Sequence, residues 1–116
     1  MKRIHLLSAT ALLALSGCAG APAPDKHLSE ANAAVRGASE AGAESLPQAS
    51  LHLKLAKDQI VQAKNLMAEG YNEEARWVLE RAEADAELAI SQARAAEQQR
   101  RAQDVRDQVK ELKGEM

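Results

Sequence analysis

The most distinctive chemistry in this chain belongs to Cys18, its only cysteine. Residues 1–3 form a short basic start, and residues 4–15 form an apolar segment with only small or weakly polar interruptions. Ser16 and Gly17, both small, come directly before the cysteine. This order is the plan of a secretory signal peptide. The apolar segment is shorter than the ~20 residues that a bilayer-spanning helix needs, so the sequence predicts an export signal.

The segment Leu15-Ser16-Gly17-Cys18 resembles the bacterial lipobox. In signals of that kind the cysteine sulfur receives a diacylglyceryl group, cleavage follows, and the new N-terminus is usually acylated. The resemblance implies that residues 1–17 are removed and that Cys18 carries covalent lipid; no other cofactor is expected. The alternative is an ordinary signal peptide with an incidental Cys18. The residue after the cysteine is Ala19. In the enterobacterial sorting signals that this segment resembles, an Asp at that position retains the lipoprotein in the inner membrane. The resemblance therefore favours the outer membrane, with the protein facing the periplasm.

The composition that is left after cleavage limits the classes of partner. Lys2 and Arg3 leave with the signal, so 13 basic and 17 acidic residues stay, with a formal net charge of −4. An exported, mildly acidic chain is a poor nucleic-acid binder, and we expect no nucleic-acid partner. A single cysteine excludes a disulfide or a zinc–thiolate site within one chain.

The other residues that could do chemistry form no predicted site. His27 and His52 lie on different predicted helices, with no cysteine beside them. The many carboxylates fall on exposed helix faces, whereas an acid–base pair needs two groups held in a cleft. The glycines lie at helix ends and in a linker, so no phosphate-binding loop is formed. We therefore expect no catalytic, cofactor-binding or metal-binding residues, and no enzyme activity.

The elements that carry these residues are predicted to be helices. Residues 18–24 form a lipidated start and a flexible Pro/Ala tether, because two prolines oppose a helix. Residues 25–113 form a helical domain, and residues 114–116 a disordered end. The first helix, at about 25–41, has an apolar stripe at Leu28, Ala31, Val35 and Ala38.

The second helix, at about 46–69, has signals at both of its ends. Ser45 and Gln48 have the spacing of a capping box around Pro47 in the first turn, and Gly70 is a C-terminal stop. An apolar seam runs along this helix with alternating steps of four and three residues; its members are Ala49, Leu53, Ala56, Ile60, Ala63 and Met67.

The third helix, at about 73–113, is predicted to begin after an Asn72 cap and to carry a similar seam. The members of that seam are Ala75, Leu79, Ala82, Ala86, Ala89, Ala93 and Ala96. The short turn at residues 70–72 makes helices 2 and 3 an antiparallel hairpin. The predicted fold is all-α: this hairpin with a long C-terminal helix, completed to a three-helix bundle by the shorter first helix.

Two further apolar stripes have no partner within the hairpin. Trp77, Ala84, Leu88 and Ala95 lie opposite the seam of helix 3, and Leu51 and Leu55 lie opposite that of helix 2. Either helix 1 covers the second stripe of helix 3, or Trp77, Leu88, Leu51 and Leu55 bind another protein or a second copy. The tail carries a stripe at Ala102, Val105, Val109 and Leu112, which is either a fraying solvated helix or a coiled-coil or basic contact.

Several residues of the mature chain are similar to a family of Ala-rich bacterial envelope lipoproteins, catalogued as domain of unknown function 4398. They are Ala43-Glu44-Ser45-Leu46-Pro47-Gln48-Ala49, Ala56, Ala63, Gly70, Glu74-Ala75, Ala82, Asp85-Ala86 and Ala89. The resemblance implies an exported, helical, lipid-anchored protein and supplies no catalytic residues.

The expected function is that of a lipid-anchored envelope protein with a structural or interaction role through its apolar helix faces. It would contact the membrane through its anchor, and either an envelope protein or a second copy through the helices. The alternative is a small adaptor whose basic C-terminal helix contacts peptidoglycan or anionic lipid.

Overall fold

The computed structural model describes residues 20–115, in which three α-helices are joined by short turns. They are α1 (Asp25–Glu40), α2 (Pro47–Ala68) and α3 (Asn72–Gly114), with a 3₁₀ turn at Ala43–Ser45 between α1 and α2. The predicted all-α fold is confirmed, and each helix boundary lies within one residue of its predicted place. Gly114 belongs to α3, although it was expected in the disordered end. None of the described helices is both long and apolar enough to cross a membrane.

The three helices form an up–down–up bundle in which α1 runs parallel to α3. His27 and Arg76 line one groove at the end where both helices begin, and Gly37 lies against Ile90 farther along. The helix α2 runs back between these ends, antiparallel to α3, as the short turn requires. The predicted completion of the hairpin by a third helix is confirmed.

The core is built from alanines with a few larger side chains between them. One cluster brings together Ala31, Ile60, Ala63, Ala75, Leu79 and Ala82. The other brings together Ala38, Ala43, Ala49, Leu53, Ala89 and Ala93. The predicted seams are thus buried, except that Met67 and Ala96 at their ends are half-buried. Leu53 and Leu79 are the largest fully buried side chains, so close backbone approach supplies most of the packing.

The α2–α3 turn is fixed by Gly70, as predicted. Gly70 has a φ of +86°, a conformation in which a Cβ would be strained. Its N–H donates to the Met67 carbonyl at 3.1 Å, and the Tyr71 N–H donates to the Leu66 carbonyl at 2.9 Å. This pair of bonds is the Schellman motif, which reverses the chain within three residues.

Both predicted side-chain caps are wrong. The N-cap of α2 is Leu46, and the Ser45 hydroxyl donates instead to the Gly42 carbonyl at 2.7 Å, because the 3₁₀ turn directs it backwards. Asn72 is the first residue of α3, and its amide donates to the Ala21 carbonyl at 2.7 Å. Pro47 does occupy the first turn of α2, as predicted.

The helix α3 is almost twice as long as α2, with 43 residues against 22. Every residue from Gln98 to Glu115 is exposed. The α1–α2 connection reaches only to the level of Gln103. The last dozen residues of α3 therefore extend beyond the bundle by roughly 20 Å, at 1.5 Å per residue.

Candidate functional site

The second stripe of α3 is open to solvent rather than covered by α1. Trp77 is 52% exposed and Leu88 is 42% exposed. The expectation that α1 folds over this stripe is wrong, because α1 packs on the other side of α3. There Val35 touches both core clusters, and small alanines leave room for two helices to approach the same seam.

The exposed stripe is longer than its four predicted members. At about 100° per residue, Trp77, Ala84, Leu88 and Ala95 point within ~20° of the direction opposite Ala86. The tail stripe continues the same row, with alternating steps of four and three residues and no break, and the row winds slowly around α3 because this spacing drifts by about 20° per heptad on a straight helix. We call this row the outer face; its positions are Trp77, Arg81, Ala84, Leu88, Ser91, Ala95, Gln98, Ala102, Val105, Val109 and Leu112. All eleven are exposed, and eight of them are apolar.

Sequence reasoning treated the tail stripe as separate from the Trp77 stripe. The two join through Gln98, which is polar and interrupts the apolar run without changing its phase. The regular spacing was visible in the sequence and could have revealed the single row. The structure adds that the row is exposed from end to end.

Leu51 and Leu55 do not belong to this surface. They are 56% and 39% exposed, on the side of α2 opposite its buried seam. Because the seams of α2 and α3 face each other, the two outer sides point in opposite directions. The four predicted interaction residues therefore form two separate patches, of which the Trp77–Leu88 patch is much the longer.

The indole of Trp77 has a cation beside it on the helix surface. The Arg76 guanidinium carbon lies 5.9 Å from the centroid of the indole ring, within the range of a cation–π contact. The same guanidinium donates to Glu80 Oε1 at 2.6 Å. A large apolar ring is thus held in contact with solvent beside paired charges, an arrangement typical of interface residues.

A polar network that the sequence analysis did not predict joins α2 to α3. His52 Nδ1 lies 3.0 Å from Asp85 Oδ1, and Gln59 Nε2 donates to Asp85 Oδ2 at 2.9 Å. Both partners of Asp85 lie on one side of α2, His52 about one turn to one side of the level of Asp85 and Gln59 about one turn to the other. No hydroxyl or thiol takes part in these contacts, so they hold two helices together and provide no nucleophile. His27 is not part of this network, and faces Glu30 on its own helix at 3.6 Å.

The potential metal ligands are also scattered. Within residues 20–115 no group of three or more His, Cys, Asp or Glu side chains could hold a metal ion.

The C-terminal end of α3 carries less net charge than its arginines suggest. Residues 100–113 hold five basic and three acidic side chains, a formal charge of +2. Arg101 donates to Glu97 at 2.8 Å, and Arg100 also pairs with Glu97. The hydrogen bond from Arg101, followed by the charge of Arg100, lowers the pKa of Glu97 from its ordinary value. Glu97 therefore stays ionised and neutralises part of the basic surface.

The tether residues lie against the end of the bundle where α3 begins. Besides the Asn72–Ala21 hydrogen bond, Pro24 is buried, and Ala21 and Lys26 line a groove with Arg76. The end of the tether, expected to be flexible, thus contacts the helices. The predicted signal peptide and the predicted lipid on Cys18 lie outside the described residues.

A model of a known protein family matches most of the chain. The family model described as "Domain of unknown function (DUF4398)" matches residues 26–105, a range that includes α1, α2 and most of α3. The matched range also includes the outer face as far as Val105. Neither a curated protein nor a solved structure matches the chain.

Proposed function

The chain belongs to the DUF4398 family, and from that premise we propose that it is a lipid-anchored protein of the bacterial cell envelope with an interaction role. Its binding surface is the outer face of α3. The observation that carries the proposal is an unbroken row of eleven exposed positions, mainly apolar, that the bundle does not use for its own packing. Apolar faces of this length on soluble helices are typical of protein-binding sites.

The anchoring half of the proposal rests on the lipobox-like residues before Cys18. Two or more acyl chains give stable membrane attachment, whereas one chain is marginal. The position of Ala19 favours the periplasmic face of the outer membrane. The contact of Ala21 with Asn72 supports the idea that the anchor emerges from one end of the bundle.

The anchoring half is tested by replacing Cys18 with Ser in the full chain and labelling cells with radioactive palmitate. We expect label on the unchanged chain and none on the Cys18→Ser variant, which should also be released from membranes. Ser16→Ala, which keeps a lipobox-compatible small residue, is the matched control and should keep its label. An unlabelled wild-type chain, or a Cys18→Ser chain that keeps its label, would contradict the lipid anchor.

The second candidate function is an adaptor that uses the end of α3. The observation that favours it is the free helix beyond Gln103, which projects from the end of the bundle opposite the tether. A helix that points away from its anchor would reach peptidoglycan more easily than the lipid of its own membrane. The net charge of only +2 over residues 100–113 weakens the electrostatic part of this candidate.

The two candidates differ in where a partner touches α3. Photoreactive side chains at Trp77 and at Lys110, introduced one at a time into the full chain, would be illuminated in intact envelopes. We expect cross-linked protein from position 77. Cross-linking to peptidoglycan from position 110, with none from position 77, would support the adaptor and contradict the outer-face proposal.

A further inference from the structure

We propose that residues 77–102 of the outer face of α3 bind the same residues of a second copy of this chain, with the two α3 helices antiparallel. This pairing rests on the interaction role proposed above, and the partner is a second copy of the same chain. It fixes one register, in which Trp77 packs opposite Ala102 of the partner subunit and Glu87 lies beside Arg94 of the partner subunit.

The spacing of the outer face is that of a coiled-coil seam. Steps of four and three residues alternate from Trp77 to Leu112, which is the pattern by which two helices pack side by side along their length. The buried seam of the same helix has this pattern and packs against α2. The outer face has the pattern too, extends farther along α3, and has no helix of its own chain against it.

The charges beside the row decide the direction of the partner. Along one edge, at intervals of seven residues, stand Glu80, Glu87, Arg94 and Arg101. In an antiparallel pair this edge meets the same edge of the other copy. Glu80 then faces Arg101 of the partner subunit and Glu87 faces Arg94 of the partner subunit, and symmetry makes each pair twice.

Other arrangements bring like charges together. A parallel pair in register places Arg101 beside Arg106 of the partner subunit and Glu80 beside Asp85 of the partner subunit. An antiparallel pair shifted by one heptad places Arg94 beside Arg94 of the partner subunit, or Glu87 beside Glu87 of the partner subunit. Like charges at these positions oppose association, so among these arrangements only the proposed register sets opposite charges against each other all along this edge.

The sizes of the facing side chains agree with this register. The large Trp77 meets the small Ala102 of the partner subunit, and Leu88 meets Ser91 of the partner subunit. Two of the three polar positions also pair, since Arg81 faces Gln98 of the partner subunit. Side-chain size is thus compatible with this register, and the charges select it among the antiparallel alternatives.

The free charges of the single chain are consistent with this pairing. Within the described residues no ion pair involves Glu87 or Arg94, whereas Glu80 pairs with Arg76 and Arg101 pairs with Glu97 along the helix. The central pair, Glu87 with Arg94 of the partner subunit, therefore breaks no ion pair of the single chain. The overlapping segment, residues 77–102, is about 39 Å long at 1.5 Å per residue. Both α1 and α2 pack against the buried seam of α3, and the end of α1 lines a groove with Arg94, Gln98 and Arg101 beside the outer face.

The charge pattern is tested by sedimentation equilibrium of the full chain, purified from membranes in mild detergent. Glu87→Arg should weaken the dimer about tenfold, because it replaces two attractions by two repulsions. Adding Arg94→Glu to that variant should restore the affinity to within about threefold. The matched control is Glu111→Arg, which makes the same charge change outside the overlap and should leave the affinity unchanged. A wild-type chain that stays monomeric, or equal weakening by Glu111→Arg, would overturn the proposal.

The direction is tested by disulfide formation with Ala84→Cys and Ala95→Cys chains, because Ala84 faces Ala95 of the partner subunit. We expect a disulfide-linked dimer from a mixture of the two variants and almost none from either variant by itself. Strong cross-linking of Ala84→Cys to itself would indicate a parallel pair and overturn the register.

The wild-type chain in the same experiment separates this proposal from the one on which it rests. A lipidated Cys18 has no free thiol and gives no disulfide. If the wild-type chain does form one, the lipid anchor is contradicted, while the sedimentation results still decide the dimer.

Discussion

The inner seam and the outer face of α3 are two sides of one helix with the same spacing and opposite surroundings. Both repeat with steps of four and three residues. The seam positions from Ala75 to Ala93 are at most 2% exposed, whereas the whole outer face is exposed. The difference lies in side-chain size, since alanines let α1 and α2 both approach α3, and Trp77 would keep one of them away. The spacing of apolar residues therefore identifies both sides of α3 that can pack against a helix. The size of the side chains decides which of the two sides packs within the single chain.

The sharpest test of this comparison removes the same side chain from each face. Leu79 is fully buried and Leu88 is 42% exposed. Leu79→Ala should lower the free energy of unfolding by about 2–5 kcal/mol, as for other buried leucines. Leu88→Ala should change it by less than about 0.5 kcal/mol in the monomer. Urea unfolding followed by helix circular dichroism at low protein concentration measures both, and equal losses would refute the assignment of faces.

The second test adds volume instead of removing it. Ala82→Leu should cost about 1–3 kcal/mol, because the helices around this alanine have no space for three more carbons. Ala84→Leu, two residues away on the outer face, should be neutral in the monomer. The thermal midpoints of the two variants provide the comparison. An unchanged midpoint for Ala82→Leu would mean that the seam is wrongly placed.

The third test concerns the polar contact between α2 and α3. Asp85→Asn weakens the bonds to His52 and Gln59 and should cost about 1 kcal/mol. Asp104→Asn makes the same change on the free part of α3 and should cost nothing measurable. Denaturant midpoints are the readout. A loss as large for Asp104→Asn as for Asp85→Asn would show that the network contributes no specific stability.

The smallest expected effect on stability is at Trp77. Trp77→Ala should change the free energy of unfolding by about 0.5 kcal/mol or less, whereas a Trp buried beneath α1 would cost about 3–5 kcal/mol. The fluorescence of this single tryptophan provides a second readout. It should be red-shifted and open to quenchers at high dilution, and should shift to the blue as concentration rises. A blue, protected signal that does not change on dilution would contradict an exposed outer face.

Local sequence signals predicted most of the fold because most of its elements depend on local chemistry. The steps of four and three residues predict the buried seams, and Gly70 predicts the reversal because only a glycine tolerates its φ easily. The Asn72 cap failed because a tertiary contact decided it, since Asn72 binds Ala21, which is 51 residues away in sequence. The Ser45 cap failed for a local reason, since the 3₁₀ turn directs its hydroxyl to Gly42. The contacts of Asp85 with His52 and Gln59 depend on how α2 and α3 are aligned along each other. The residues next to Asp85 in sequence do not reveal that alignment, so these contacts were not predictable.

The candidate site was predicted in part. Trp77 and Leu88 were identified from helical spacing, since an apolar residue opposite a seam stands out on a helical wheel. Their exposure was not predictable, because sequence spacing does not say on which side of α3 the first helix packs. Cys18 stays a prediction that rests on the sequence.

The contact between Ala21 and Asn72 has a consequence for how the molecule sits on a surface. A single copy with lipid on Cys18 is attached at one end and can stand upright, with the tip of α3 farthest from the bilayer. In the antiparallel pair the two Asn72 residues lie about 50 Å apart, at 1.5 Å per residue along α3. Lipid anchors at opposite ends of the rigid helical pair would hold the pair flat on the membrane. Pairing would therefore change an upright protein into one that lies along the membrane and exposes its sides rather than the tip of α3.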